Sequence, residues 1–537
     1  MSGLLTLIRL ILRRDRVKLP LWIGIFVLGL LAMIPLLRDV YGSEESLQVM
    51  YATLAANPAG LFMTGPMDGP TFGSLMTLET LLWWGLAIAF LNTLLVVRHT
   101  RHNEEIGAQE LLLSGQVHRA SSLVAVLIVA LGVNVLITIA LGLGMNVMDT
   151  GWGAEQSWLF AISMGTVGFV WAGIAAVVVQ LVESGRSANG ILAGLIGASF
   201  VVRGIGDFLG KADNSGLLQP HWVSNLSPFG WLQATRPLTE SEWSPLLISL
   251  GFVVVAIASG FMLLAGRDVG AGLLPSRKGR RRASRLLGTP LGLTLYLQKN
   301  IFIGWFVAVL VLAATIGMLV PQMSEIYSNN DSISQMLAIS GSDELTAAFL
   351  SMMLAIVCVM VFAYAIHGLG KLRGEEASGR LESVLATRVS RLKWLGMHFD
   401  VVAIGGSIML AATGLVLALC VNTLSDLTVD VWEYVLAGLA YAPVMLVFMG
   451  LYVLLFGLLP RLAGAVAWLY FGFVAFALWL GPIIKLDKVV MDISIMEHVA
   501  MSPVEAIAWQ PLAVITTIAV GLIVIGLAVF RHRDVTS

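Results

Sequence analysis

EEIGAQELLLSGQVHR, from Glu104 to Arg119, returns 272 residues later as EASGRLESVLATRVSR, from Glu376 to Arg391. Glu104, Gly107, Glu110, Leu113, Val117 and Arg119 are matched by Glu376, Gly379, Glu382, Leu385, Val389 and Arg391, in the shared pattern E-x-x-G-x-x-E-x-x-L-x-x-x-V-x-R. Further pairs keep nearly the same offset: Arg186 with Arg461, Ser227-Pro228 with Ser502-Pro503, and Arg267-Asp268-Val269 with Arg533-Asp534-Val535. Self-similarity at a fixed distance marks two homologous halves fused in one chain.

Each copy is a knot of charge in a chain that is 58% hydrophobic and only 12% charged, with a mean hydropathy of +0.87. Runs of about twenty apolar residues recur throughout, which excludes a soluble globule and predicts a polytopic membrane protein. Within hydrocarbon the backbone must satisfy itself, and continuous apolar runs rather than alternating segments select helices over a barrel. A window of about nineteen residues predicts spans near 19–37, 79–97, 121–143, 158–182, 188–206 and 246–265, then near 301–320, 346–366, 400–420, 435–458, 464–482 and 511–530. The expected fold is therefore all-α, with about twelve transmembrane helices in two fused six-helix halves. Cys358 and Cys420 both fall in these spans, so no structural disulfide is expected.

Sidedness follows from the cations rather than from the net charge of −1. Of the 32 Lys and Arg residues, only Arg38, Arg203, Lys211, Arg236, Lys485 and Lys488 fall on the side opposite the termini. Both termini, and both charged knots, are expected in the cytoplasm. An even number of spans per half gives the halves one orientation, related by a pseudo-two-fold along the membrane normal. The expected organisation is a first transmembrane half over 1–266, a basic cytoplasmic linker and interfacial segment over 267–300, and a second half over 301–537. The linker carries Arg277, Lys278, Arg280, Arg281, Arg282 and Arg285. Ahead of the first span, Leu4, Leu5, Ile8, Ile11 and Leu12 make one helical stripe while Thr6, Arg9, Arg13 and Arg16 make the other, which predicts an interfacial amphipathic helix.

An amphipathic helix before span one, an E-x-x-G-x-x-E segment between spans two and three, and a Ser-Pro outer loop before span six resemble the permeases of type 2 ABC exporters. The fused twelve-span form is similar to the actinobacterial exporters of polyketide antibiotics, with their tetronasin-resistance and mycobacterial multidrug-efflux relatives. The resemblance implies that each charged knot is a coupling helix contacting a separate ATP-binding protein, through Glu104, Glu105, Gly107, Glu110 and Arg119 in the first half and Glu375, Glu376, Gly379, Glu382 and Arg391 in the second. Glutamates spaced i, i+3 and i+6 would project to one broad side of a helix, where a basic partner can pair with them. Glycine permits close backbone approach or a break in the helix. The plainer reading is a solvated helix end, with acids capping the next helix and the arginines obeying the charge rule. The second half has Glu375-Glu376-Ala377 where the first has Glu104-Glu105-Ile106, so one acid of each pair stays in register with the glycine.

A motor of its own would need G-x-x-x-x-G-K followed by Ser or Thr, to cradle phosphates and hold magnesium. Gly210-Lys211 is followed by Ala212 and Gly370-Lys371 by Leu372. The chain is thus expected to be a permease rather than an enzyme, without a cofactor of its own, with Mg-ATP on a partner present as two copies. His99, His102, His118 and His367 sit near cytoplasmic span ends and read as snorkelling polar groups, so no metal site and no nucleic-acid partner are expected.

Adaptable apolar surfaces for a bulky ligand are offered by Trp83, Trp84, Phe90, Asn92, Phe200, Phe349, Met352, Met353, Phe362, Trp468, Tyr470, Phe471 and Phe473. Each of these residues has ordinary helix packing as its alternative. By the same resemblance, Ser227, Pro228 and Phe229, with Ser502 and Pro503, form an outer gate on segments too short to span. The expected function is ATP-driven export of lipophilic drugs or polyketide-like antibiotics across a bacterial inner membrane, in contact with membrane lipids. A proton-coupled antiporter and an ABC exporter of a lipid are the alternatives. Against the antiporter, spans nearly free of ionisable groups offer little to titrate.

Overall fold

The computed structural model describes residues 3–55, 58–115, 118–148, 150–212, 218–274, 284–318, 342–424, 428–481 and 486–534. Val117, Val535, Lys485 and the linker cations Arg277, Lys278, Arg280, Arg281 and Arg282 lie outside the described residues. The chain divides into two compact units, Met1–Gly279 and Arg280–Ser537.

The first unit runs α1 (Leu4–Arg14), α2 (Lys18–Tyr41), α3 (Glu44–Ala55), α4 (Pro58–Thr64), α5 (Phe72–His99), α6 (Arg101–Glu105), α7 (Ala108–Leu113), α8 (Ser121–Val147), α9 (Ala154–Leu181), α10 (Gly185–Phe208), α11 (Pro228–Ala234) and α12 (Ser244–Ala265). A two-residue hairpin, Lys211–Ala212 against Leu218–Gln219, is the one strand pair among the described residues. The second unit runs α13 (Pro290–Met318), α14 (Ser342–Ala377), α15 (Arg380–Leu385), α16 (Arg391–Leu424), α17 (Val431–Leu439), α18 (Ala442–Leu458), α19 (Ala463–Leu480), α20 (Lys488–Met491) and α21 (Trp509–His532). Among the described residues eleven helical stretches are long and apolar enough to cross a membrane, and Ala463–Trp479 is a shorter apolar one. All twelve predicted spans are therefore helical, and the protein is an all-α, multi-pass membrane protein.

The core of the first unit is built on α5, α8 and α9, whose side chains Trp171, Phe160, Ile88 and Ile137 are fully enclosed. A reciprocal amide pair joins two of these helices. Asn92 donates to Asn134 Oδ1 at 3.2 Å and Asn134 donates back to Asn92 Oδ1 at 2.7 Å, each also reaching a carbonyl one turn earlier. Gly168 of α9 lets the third helix close on the pair, since a Cβ there would lie 2.2 Å from Asn134 Oδ1. In the second unit α14, α16 and α18 take these places, with Tyr364, Phe362, Phe448 and Tyr452 buried between them.

Two expectations about the inner surface change. The apolar stripe of α1 is rotated: Leu7 and Ile11 are buried while Leu5 is 72% exposed, because the helix packs on α8 rather than lying alone in an interface. The 267–300 stretch is not one linker. Leu273 and Leu274 donate their amides to Gln180 and Leu181 carbonyls at the end of α9, so the first residues belong to the first unit. Residues 290–300 are the opening turns of α13. Pro290 at the helix start has no amide to leave unpaired, and Ser284 caps the short 3-10 turn Arg285–Gly288 just before it.

Candidate coupling site at the charged loops

Each charged knot folds as two helical pieces, not one. Gly107 adopts φ +74° and Gly379 φ +70°, the left-handed region open to glycine at no steric cost. Their amides donate to the Glu104 and Glu376 carbonyls, both at 3.0 Å, which closes the preceding turn and starts a new short helix in another direction. The expected single face of glutamates at i, i+3 and i+6 therefore does not form. Glu104 lies on α6 and Glu110 on α7; Glu376 lies at the end of α14 and Glu382 on α15.

The separation decides which acids are available. Glu104 is held bidentately by Arg267, Nη2 to Oε1 at 2.5 Å and Nη1 to Oε2 at 2.9 Å, and Arg101 also donates to Oε2. Arg267 reaches Gln180 Oε1 at 2.7 Å, and Arg101 reaches the Val182 carbonyl at 2.5 Å and the Ala271 carbonyl at 2.7 Å. One buried carboxylate thus ties the knot to the end of α9 and to the segment that follows α12. Arg119 completes the tie by donating to the Arg267 carbonyl. Glu105 accepts the Gly185 amide at 3.2 Å, at the N-terminus of α10, where a negative charge is favoured.

The second unit repeats the device. Arg533 donates to Glu376 Oε1, and Arg373 to Oε2 at 3.3 Å. Arg391 donates to the Arg533 carbonyl at 2.5 Å, as Arg119 does to that of Arg267. Burial pushes the Arg533 guanidinium down from its ordinary value and the Glu376 charge pulls it back. Glu375, which has no acidic counterpart in register, takes two bonds from Arg380 at 2.9 and 3.0 Å, and this pairing holds the Arg380 guanidinium above its ordinary value.

Outside these clamps, Glu110 and Glu382 are exposed. Each short helix keeps an inward face, with Gln109 taking a bond from Ser122 at 3.0 Å in α7 and Leu381 buried in α15, and turns its glutamate outward. Arg101 and Arg373 escaped the sequence reading although they stand 272 residues apart, in register with the glutamates. The matched Arg267 and Arg533 were noticed as repeats but not joined to the acids, because the partners are 163 and 157 residues apart in the chain.

The proposed path residues divide into two sets. Trp83, Phe90, Met352 and Trp468 are exposed, and Phe200 is half-buried beside Trp83, with ring centres 6.1 Å apart. Asn92 and Phe362 are fully buried, the first in the amide pair and the second stacked on Phe448 at 5.4 Å. Trp84 is half-buried and edge-on to Phe26 at 5.1 Å; Phe349 and Met353 are also half-buried. Tyr470 and Phe471 pack round Phe448, Phe473 stacks on Tyr470, and the Tyr470 hydroxyl reaches the Ile493 carbonyl at 3.2 Å.

On the opposite face, Ser227 accepts the Phe229 amide at 3.1 Å and donates to the Ser199 carbonyl at 2.8 Å, so α11 folds back as a capped helix with Pro228 in its first turn and Phe229 against Trp171. Ser502 and Pro503 stand instead in a turn with a cis peptide between them. The first unit also holds a pair the sequence had placed at a span end: buried Arg203 binds Asp207 at 3.0 Å and the Phe62 carbonyl at 2.7 Å, while Ser224 donates to Asp207 at 3.0 Å.

Twelve apolar helices, two internally clamped charged loops and re-entrant outer segments define a polytopic transport permease. The family model described as multidrug efflux system permease Rv1217c, C-terminal domain, matches residues 4–264 and 287–531. The multidrug efflux system permease protein Rv1217c of Mycobacterium tuberculosis is 30% identical over 538 residues, covering 99% of this chain and 95% of that protein. The chain belongs to this family of multidrug efflux permeases.

Proposed function

We propose that this chain is the permease of an ATP-driven exporter of lipophilic drugs or polyketide-like antibiotics, working with two copies of a separate ATP-binding protein that carry Mg-ATP. Family membership supports drug efflux. The observation that carries the drive is the clamp built twice: an exposed short helix whose neighbouring buried carboxylate is pinned to the end of the last span of its unit. A push on α7 or α15 would pass through Glu104 to Arg267, or through Glu376 to Arg533, without loss in a flexible loop. In this division Glu110 and Glu382 meet the ATP-binding protein, and Glu104, Glu105, Glu375, Glu376, Arg119 and Arg391 transmit. Both termini then lie in the cytoplasm with the knots. Trp83, Phe90, Met352 and Trp468 are the side chains we assign to the path, and α11 with the Ser502-Pro503 turn to the outer gate.

The test is co-purification with the ATPase encoded beside the chain, followed by hydrolysis in lipid with and without lipophilic antibiotics. The Glu110→Lys, Glu382→Lys double variant is expected to insert normally and to lose drug-stimulated hydrolysis. Normal stimulation in that variant removes the coupling assignment. Export driven by a proton gradient, with no ATPase, turns the answer to an antiporter.

A further inference from the structure

The elbow between α1 and α2 leaves an apolar groove against α8 that export does not use. A cavity of about 370 Å3 is walled by Ile8, Leu12, Ile23, Ile128, Gly132 and Leu136, with Arg16 also in its lining. Leu12, Ile128 and Leu136 are exposed, so the groove opens outward from the first unit and, with these helices in a bilayer, onto hydrocarbon. A void there forfeits dispersion contacts, and an acyl chain is the material at hand to fill it. Tails alone give no selectivity, because lipid is as apolar as the groove; preference has to come from a headgroup.

The charges of the elbow are arranged for one kind of headgroup. Asp15, the only acid of the stretch Arg13 to Lys18, is buried and bound by Arg98 at 2.8 Å and His99 at 2.5 Å. Arg14 is drawn to Asn103 at 2.7 Å. Arg13, Arg16 and Lys18 remain exposed, and none of them makes an ion pair among the described residues. The acid is turned in and three cations are turned out. We propose that this groove binds an anionic phospholipid, with an acyl chain along α8 and the phosphodiester on Arg16, in the leaflet that holds the N-terminus. The second unit lacks the device, since α13 runs unbroken from Pro290 to Met318 and Lys299 lies over its own Tyr296 ring at 4.3 Å.

Native mass spectrometry of the full chain, released from vesicles of phosphatidylglycerol and phosphatidylcholine, reads the lipid retained. Wild type is expected to keep phosphatidylglycerol in preference. Arg16→Glu lowers its retention about tenfold and leaves phosphatidylcholine unchanged. Gly132→Leu, whose new side chain enters open space, lowers both. Unchanged retention in the two variants overturns the proposal, as does an equal loss of both lipids in Arg16→Glu. Displacement of phosphatidylglycerol by a lipophilic antibiotic that binds wild type and Arg16→Glu alike assigns the groove to the exported compound and overturns it too.

Discussion

The two clamps use the same residue types in the same register, yet they differ in dryness. In the first, the Arg101, Glu104 and Arg267 side chains are 0%, 9% and 3% exposed. In the second, Arg373 is 33% and Arg533 14% exposed around a buried Glu376, and Arg533 also lies over the Phe456 and Phe530 rings at 5.0 and 5.4 Å. The first acid therefore compensates two guanidinium groups with no other route to water. The second faces one arginine that reaches solvent and another that keeps an aromatic partner. One repeat can thus hold a rigid joint and a softer one without changing its motif.

The sharpest way to break this comparison is to remove each acid. Glu104→Gln strands two buried cations and is expected to destabilise the first unit by about 3–5 kcal/mol. Glu376→Gln is expected to cost only about 1–2 kcal/mol, since its arginines retain water or rings. Detergent-solubilised thermal unfolding of both variants checks the order, and equal losses would show that exposure is not what distinguishes the clamps.

A smaller contrast lies in the cores. Positions 272 residues beyond Asn92 and Asn134 are Tyr364 and Gly406, so the amide pair has no copy in the second unit. Asn92→Ala leaves Asn134 short of a partner and is expected to cost about 1–2 kcal/mol. Tyr364→Phe removes a hydroxyl that has no hydrogen-bond partner among the described residues, and should change stability by less than about 0.5 kcal/mol. A large loss in the tyrosine variant would show that its hydroxyl matters after all.

The smallest expected effect is electrostatic and belongs to the outer turns of the first unit. Burial raises the Asp68 carboxyl above its ordinary value, although Arg236, 3.3 Å away, pulls it down. The folded state therefore holds that proton more tightly than the unfolded chain. The contribution is fully present below the ordinary carboxylate value and is lost as pH rises through the raised one. Unfolding of Asp68→Asn compared with wild type between about pH 4 and 7 should show the wild type losing ground as pH rises. Parallel curves would remove the assignment.

The outer segments show where the repeat stops being legible. Ser227-Pro228 and Ser502-Pro503 match in sequence, and both serines are buried. Only the first caps a helix, because Ser227 Oγ accepts the Phe229 amide while also donating to Ser199 across on α10. A dipeptide match cannot carry that, since the cap depends on a carbonyl brought in from 28 residues away. In the same way, the E-x-x-G-x-x-E spacing suggested one helical face, and the left-handed glycine in its middle divided it.

By itself the sequence determined the membrane class, the twelve helices, the duplication and the position of both charged knots. Those properties rest on local hydropathy and on repetition along the chain, which need no knowledge of what touches what. The tertiary structure alone decided which glutamates are spent inside the protein and which face outward. It also decided that Asn92 and Phe362 hold helices together, and that the elbow turns its one acid inward. Those outcomes depend on groups more than a hundred residues apart meeting in a space where an unpaired charge is costly, and no periodicity in the chain encodes that meeting.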